Sequence, residues 1–224
     1  MKAAIIFDMD GVILDSEPIH YQVERNILKG YEVDFEFSEH TTFVGQTTLD
    51  LWQALCSKYH LPVKPELLAK MDNHDYIHQL KHGDAQPIEG VLDLINQLHQ
   101  QGFDMAVASS AIHENINIVL DKFDIRKYFV GHVSGQDVPK TKPNPDIFYK
   151  AAELLDQPPS NCIVIEDAKH GVHAAKAAGM ACVAFRNLNS GNQDLSDADV
   201  VIQDMAQLNR ELIDSLTQHN KINS

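Results

Sequence analysis

Two carboxylates stand one residue apart in the stretch IIFDMDGVILDS, residues 5–16: Asp8 and Asp10, followed at once by Gly11. They end an apolar run, where a pair of acids repels itself and any anionic ligand. Phosphoryl transfer makes use of such a pair. One carboxylate attacks phosphorus, its neighbour moves the proton, and a divalent cation keeps their charge from repelling the substrate. A lone pair of this kind also suits an ordinary strand-end turn, so the reading rests on what other segments supply.

Three do. Ser109 and Ser110 follow the apolar MAVA, Lys142 lies in PKTKPNPD, and Glu166 and Asp167 follow CIVI. Hydroxyls and amides, an ammonium, and carboxylates for a cation are what a phosphate site needs. In parallel α/β sheets ligands bind beyond the carboxyl ends of the strands, and these residues fall at such ends. The four segments are expected to converge on one rim.

The elements that must position them can be read from periodicity. Short apolar runs at 2–8, 103–110, 128–135, 161–167 and 180–187, with a weaker one at 198–204, have the length and composition of strands buried on both faces. Helical patterns fill 89–102, 113–125, 145–156 and 170–180, with Gly102 and Gly179 where helix ends belong. Strand alternating with helix predicts a doubly wound, mostly parallel, Rossmann-like α/β core. Residues 16–84 break the rhythm. Helical patterns follow one another there, the first with Ser16 as N-cap and Pro18 in its first turn, then 47–60 and 65–83. The expected organisation is a core of residues 1–15 and 85–224 with an inserted all-helical cap of residues 16–84, and 83–90 as the return linker. The polar tail 217–224 is expected to fray.

Composition narrows the partners. The 224 residues carry 18 Lys and Arg against 32 Asp and Glu, a net charge of −14 that the 12 histidines could not cancel. Such a field disfavours nucleic acid and anionic membranes, and it obliges a phosphate site to hold its own cation. Cys56, Cys162 and Cys182 are scattered and form no paired motif, which points to reduced thiols. The short apolar run behind Met1 does not reach the length of a signal peptide, and no later run approaches a membrane span, so the cytoplasm is the expected location. A monomer or weak dimer is expected.

Taken in order, DMDGVILDS, VASS, KPNPDIF and IEDAKHG resemble the four motifs of the haloacid dehalogenase superfamily. More narrowly, they resemble its phosphatase and β-phosphoglucomutase-like branch, in which a helical cap follows the first motif. The resemblance runs from the start to Arg186. It implies Asp8 as nucleophile, forming an aspartyl phosphate, and Asp10 as general acid and base with a carboxyl that titrates unusually high. It implies Mg²⁺ held by the side chains of Asp8 and Asp167 and the backbone carbonyl of Asp10, with Glu166 beside or behind Asp167, since adjacent side chains point apart. Ser109, helped by the Ser110 amide, would bind the transferring phosphoryl group. Ser109 is also a natural cap for the next helix, a compatible role. Lys142, rather than Lys140, would tether Asp8 and the phosphate.

Specificity is expected from the loop at 40–50, which supplies Phe43, Gly45, Gln46, Thr47 and Thr48, and from His20 on the first cap helix. A mutase must hold a bisphosphate in two orientations and needs a second cationic site. β-Phosphoglucomutases place basic residues in this loop where Val44 and Thr48 stand here. That departure favours Mg²⁺-dependent hydrolysis of small phosphomonoesters, sugar phosphates included, over a phosphosugar mutase. A dehalogenase would need neither Asp10 nor Asp167, and a phospho-accepting receiver domain would carry no helical insert. His74, His78 and His82 form a stripe that reads as a polar helix face, and Trp52 reads as cap core. His170 and His173 are given no catalytic role.

Overall fold

The computed structural model describes residues 2–223. Six strands, β1 (Ala4–Phe7), β2 (Met105–Ser109), β3 (Gly131–Ser134), β4 (Cys162–Glu166), β5 (Ala181–Phe185) and β6 (Val200–Ile202), form one parallel sheet in the order β3-β2-β1-β4-β5-β6. This is the doubly wound Rossmann order, in which connections leave the central strand in opposite directions and open a crevice at its carboxyl end.

The strand sequences show why the sheet is sandwiched. Ile5 and Phe7 face one apolar layer with Val107, Ile163 and Val183, while Ala4 and Ile6 face the other with Ala106, Val164 and Cys182. Alternate residues of one strand thus enter two different cores, as a period of two requires. The first layer is closed by α5 (Val91–Gln100), α6 (His113–Lys122) and α9 (Arg210–Asn223), and the second by α7 (Asp146–Leu154) and α8 (Lys169–Ala177). Gly102 and Gly179 both have φ of 73° just past helix ends, the left-handed position expected of them.

Between β1 and α5 run only helices: α1 (Glu17–Lys29), α2 (Phe37–His40), α3 (Thr48–Tyr59) and α4 (Pro65–His82). They enclose an apolar cluster of their own, including Val23, Leu28, Phe35, Leu55, Leu68 and the fully buried Trp52, whose indole N–H donates to Asp72 at 2.9 Å. The last turns of α4 belong elsewhere: Tyr76 and Leu80 join the core layer, and Lys81 reaches Glu114 on α6 at 2.7 Å.

Two local expectations are corrected. Ser16 occupies the N-cap position of α1, but its backbone is already helical and its hydroxyl caps nothing; it is buried and turned toward Asp10. The tail expected to fray is helical through Asn223, its last described residue, and within it Asn220 donates to the carbonyls of Ser160 at 3.2 Å and Gly179 at 3.1 Å. A polar side chain with long-range backbone partners anchors what local composition leaves loose.

Candidate active site

The turn after β1 builds the floor. The Asp8 amide donates to the Ile165 carbonyl, extending the β1–β4 ladder by one residue, and the amides of Ile13 and Leu14 both return to the Met9 carbonyl. This tight turn needs Gly11. Its φ is 76°, and a Cβ there would lie 1.9 Å from Oδ2 of Asp167. The glycine therefore serves both the left-handed turn and the close approach of a carboxylate.

Lys142 is the electrostatic centre. Its Nζ donates to Asp8 Oδ1 at 2.6 Å, Glu166 Oε1 at 2.6 Å and the Ala108 carbonyl at 3.2 Å, with the side chain only 8% exposed. All three ammonium protons have protein partners, so the lysine holds the carboxylates and meets a ligand through its charge. Glu166 is equally committed. Its second oxygen accepts the amides of Asp167 at 3.0 Å and Ala168 at 3.1 Å, and Gly171 lets α8 pass over the carboxylate where a Cβ would come within 1.7 Å.

Asp8, Glu166 and Asp167 are all buried and bring one carboxylate oxygen each within 4.8 Å of one another, a group with a single ammonium beside it. Burial pushes the Asp8 carboxyl up to about 7 against the pull of Lys142. Burial, with Glu166 and Asp8 nearby, pushes Asp167 well above the usual carboxylate range. A donor set made wholly of hard oxygens, with more negative charge than its one lysine balances, fits Mg²⁺. Asp8 and Asp167 are the residues with oxygen to spare for it.

Asp10 titrates high as expected, raised by burial and by Glu17 while His20 and Ser16 oppose the shift. Its Oδ1 accepts a long hydrogen bond, 3.5 Å, from Tyr76, whose ring is stacked on His20 with centroids 4.2 Å apart. Ser109, at the end of β2, is buried and its hydroxyl accepts the Ala111 amide at 3.1 Å, shaping the turn before α6, while Ser110 is exposed.

Above this floor lies a cavity of about 410 Å³ lined by Asp8, Asp10, Ser109, Ser110, Lys142 and Asp167 and roofed by His20, Gly45 and Gln46. Phe43 stands apart from it, in a small adjoining recess of about 90 Å³ beside His40 and Asp72. That recess holds a buried clamp: His40 Nδ1 lies 2.7 Å from Glu24 and Nε2 2.9 Å from Glu17, and the two glutamates raise the histidine to about 9 against its burial.

Tyr76, Ser190, Gln193 and this clamp were not foreseen from sequence. Tyr76 had a signal. Asp72, Tyr76 and Leu80 repeat every four residues on α4 and are buried, in phase opposite to His74, His78 and His82. Among the described residues only the acidic trio gathers as a metal-ligating group, and the histidine stripe does not.

The match to known proteins agrees with this geometry. Residues 5–185 match the model of the haloacid dehalogenase-like hydrolase family, and the chain belongs to that family. It is an enzyme, a hydrolase by kinship. It is 31% identical over 186 residues to fructose-1-phosphate phosphatase YqaB of Escherichia coli, covering 83% of this chain and 97% of that protein. It is also 31% identical over 219 residues to β-phosphoglucomutase of Bacillus subtilis, covering 94% and 93% of the two chains. A haloacid dehalogenase-like protein of unknown function from Agrobacterium tumefaciens superposes with a TM-score of 0.82 at 29% identity, over 96% of this chain and 99% of that one. No helix among the described residues is long and apolar enough to cross a membrane.

Proposed function

We propose that this protein is a Mg²⁺-dependent phosphomonoester hydrolase for small phosphorylated metabolites, sugar phosphates included. The observation that carries the reading is the pairing of Asp8 with buried Lys142 at 2.6 Å beneath a cavity whose lining holds no other lysine or arginine. One phosphate finds a cation there. A second one does not, which is why hydrolysis is favoured over the mutase activity that the name of the Bacillus relative states.

Oδ2 of Asp8, which accepts no hydrogen bond among the described residues, attacks phosphorus while Lys142 holds Oδ1. The P–O ester bond breaks, and Asp10 gives its proton to the departing alkoxide. Burial raises its affinity for that proton, the direction a general acid needs. Water then attacks the aspartyl phosphate and returns a proton to Asp10, and the bond between Asp8 and phosphorus breaks. The net change is ester plus water to alcohol plus phosphate. Ser109 and the Ser110 amide orient the phosphoryl oxygens. A bound Mg²⁺, held by Asp8, Asp167 and the Asp10 carbonyl, would neutralise the phosphate dianion against these acids.

In this reading residues 16–84 act as a cap on a core of residues 1–15 and 85–224, supported by their separate apolar cluster. His20, Gly45 and Gln46 meet the part of the substrate beyond the phosphate, with Phe43 shaping the roof from behind. Free, buried cysteines support a reducing compartment, the cytoplasm.

The test is phosphate release from a panel of small phosphomonoesters with Mg²⁺ and with a chelator. Steady release that requires Mg²⁺ is expected. Conversion of β-glucose 1-phosphate to the 6-phosphate without release would overturn the assignment.

A further inference from the structure

Beyond the four motifs, the loop at 187–193 after β5 reaches into the site from a segment that sequence reasoning left without a role. Ser190 is 3% exposed, and its hydroxyl donates to Oδ2 of Asp167. On its other side that same oxygen is bounded by Gly11, where a Cβ would lie 1.9 Å away. With Oδ2 fixed between a hydroxyl and a glycine, the plane of the carboxylate is set. Oδ1, which accepts no hydrogen bond among the described residues, is left to face a ligand.

The loop that carries Ser190 is tied down at both ends. Asn187 donates to the Gly11 carbonyl at 3.2 Å, and Asn189 donates to both oxygens of Asp15 at 3.1 and 2.8 Å. On the far side Gln193 donates to the Ser190 carbonyl at 3.1 Å and accepts the Lys169 amide at 3.2 Å, at the start of α8. Ser190 is therefore held in the frame of the turn that carries Asp8 and Asp10, and in that of the helix behind Asp167.

We propose that Ser190 is a positioning residue of the cation site: it fixes Asp167 so that one oxygen is presented to Mg²⁺, with Asn187 and Asn189 anchoring its loop on the turn after β1. The inference rests on the Mg²⁺ reading above. Carboxylates that bind metals depend on the hydrogen bonds that orient them, and losing such a partner costs about 10–100-fold in affinity.

Titration calorimetry of Mg²⁺ into the metal-free full chain tests this. Ser190→Ala is expected to weaken Mg²⁺ binding by about 10–100-fold, and Ser190→Thr, which keeps the hydroxyl, to restore it. Melting curves without Mg²⁺ report folding separately. Wild-type affinity in Ser190→Ala, or no rescue by Ser190→Thr, overturns the proposal. If Ser190→Ala does not fold, Asn189→Ala, which touches neither Asp167 nor the cation, is expected to weaken Mg²⁺ binding in the same direction, and unchanged affinity there overturns it. Failure of the underlying reading looks different: wild type itself would bind no Mg²⁺, or Asp167→Asn would bind it undiminished, and the proposal falls with it.

Discussion

Lys142→Met removes the cation from the centre of the site while keeping a stem of similar length. The ammonium sits 2.6 Å from Asp8 and 2.6 Å from Glu166. At an effective dielectric of about 20, each contact is worth about 6 kcal/mol of Coulomb attraction. Desolvating the ammonium opposes most of that gain. Deleting one partner of such a buried pair therefore costs about 3–5 kcal/mol rather than the full sum. For a chain of this size that is a fall in Tm of about 6–20 °C. Part of the loss is recoverable. Without Lys142 the proton affinity of Asp8, already raised to about 7, climbs further, and a protonated Asp8 no longer needs a counter-charge. The Tm deficit of Lys142→Met should thus be larger at mildly alkaline than at mildly acidic pH. The same protonation would disarm Asp8 in its proposed role as nucleophile, and losing a preorganised cation at the reacting centre typically costs about 10²–10³-fold in kcat. Differential scanning calorimetry across pH and phosphate-release kinetics at saturating Mg²⁺ read the two effects. A variant that melts like wild type at every pH and turns over normally would refute the reasoning.

Asp8→Asn should abolish turnover and the alkali-labile phosphoenzyme, while Asp10→Asn should slow both half-reactions by about 10²–10⁴-fold; rapid-quench labelling separates them. Metal-free protein should lose stability as pH rises from about 4 to about 7, because the Asp8 pKa is raised in the fold and its charged form is the disfavoured one. Mg²⁺ should flatten that slope, which calorimetry with and without the metal will show. His40 adds a second slope with the same sign but a later window. Its pKa is raised to about 9, so its contribution is complete below the unfolded value of 6.5 and lost as pH rises through about 9. His40→Gln should remove this upper slope in the presence of Mg²⁺, and a slope that persists would assign it to another group.

Short apolar runs were enough to locate the six strands, because a strand buried on both faces, as β1, β2, β4 and β5 are, has little choice but to be continuously apolar. Ile5 and Phe7 against Ala4 and Ile6 show the two faces in one run. Most helices followed from their period, with Gly102 and Gly179 at two of their ends, but α2 (Phe37–His40) and α9 (Arg210–Asn223) were not anticipated. What escaped the reading were contacts between residues far apart in the chain. Ser16 looks like a cap in isolation, and only Asp10 above it gives its hydroxyl another task. Nothing near Asn220 says that carbonyls from two distant segments await it. Phe43 sits in the expected loop, but packing beside the His40 clamp turns it toward the adjoining recess.

By itself, then, the sequence determined the elements and the reactive residue types, since both depend on local chemistry: periodicity, turn-forming glycine, and acids placed at the ends of apolar runs. Which oxygen is free, which proton is already taken and which loop walls the site were decided only by the tertiary structure. Lys142 gives all its protons to protein groups, Glu166 is held from two sides, and Ser190 arrives from a loop after β5. Those assignments depend on distances between separate segments, 134 residues apart for Lys142 and Asp8 and 23 for Ser190 and Asp167, and a distance of that kind exists only once the chain has closed its two cores.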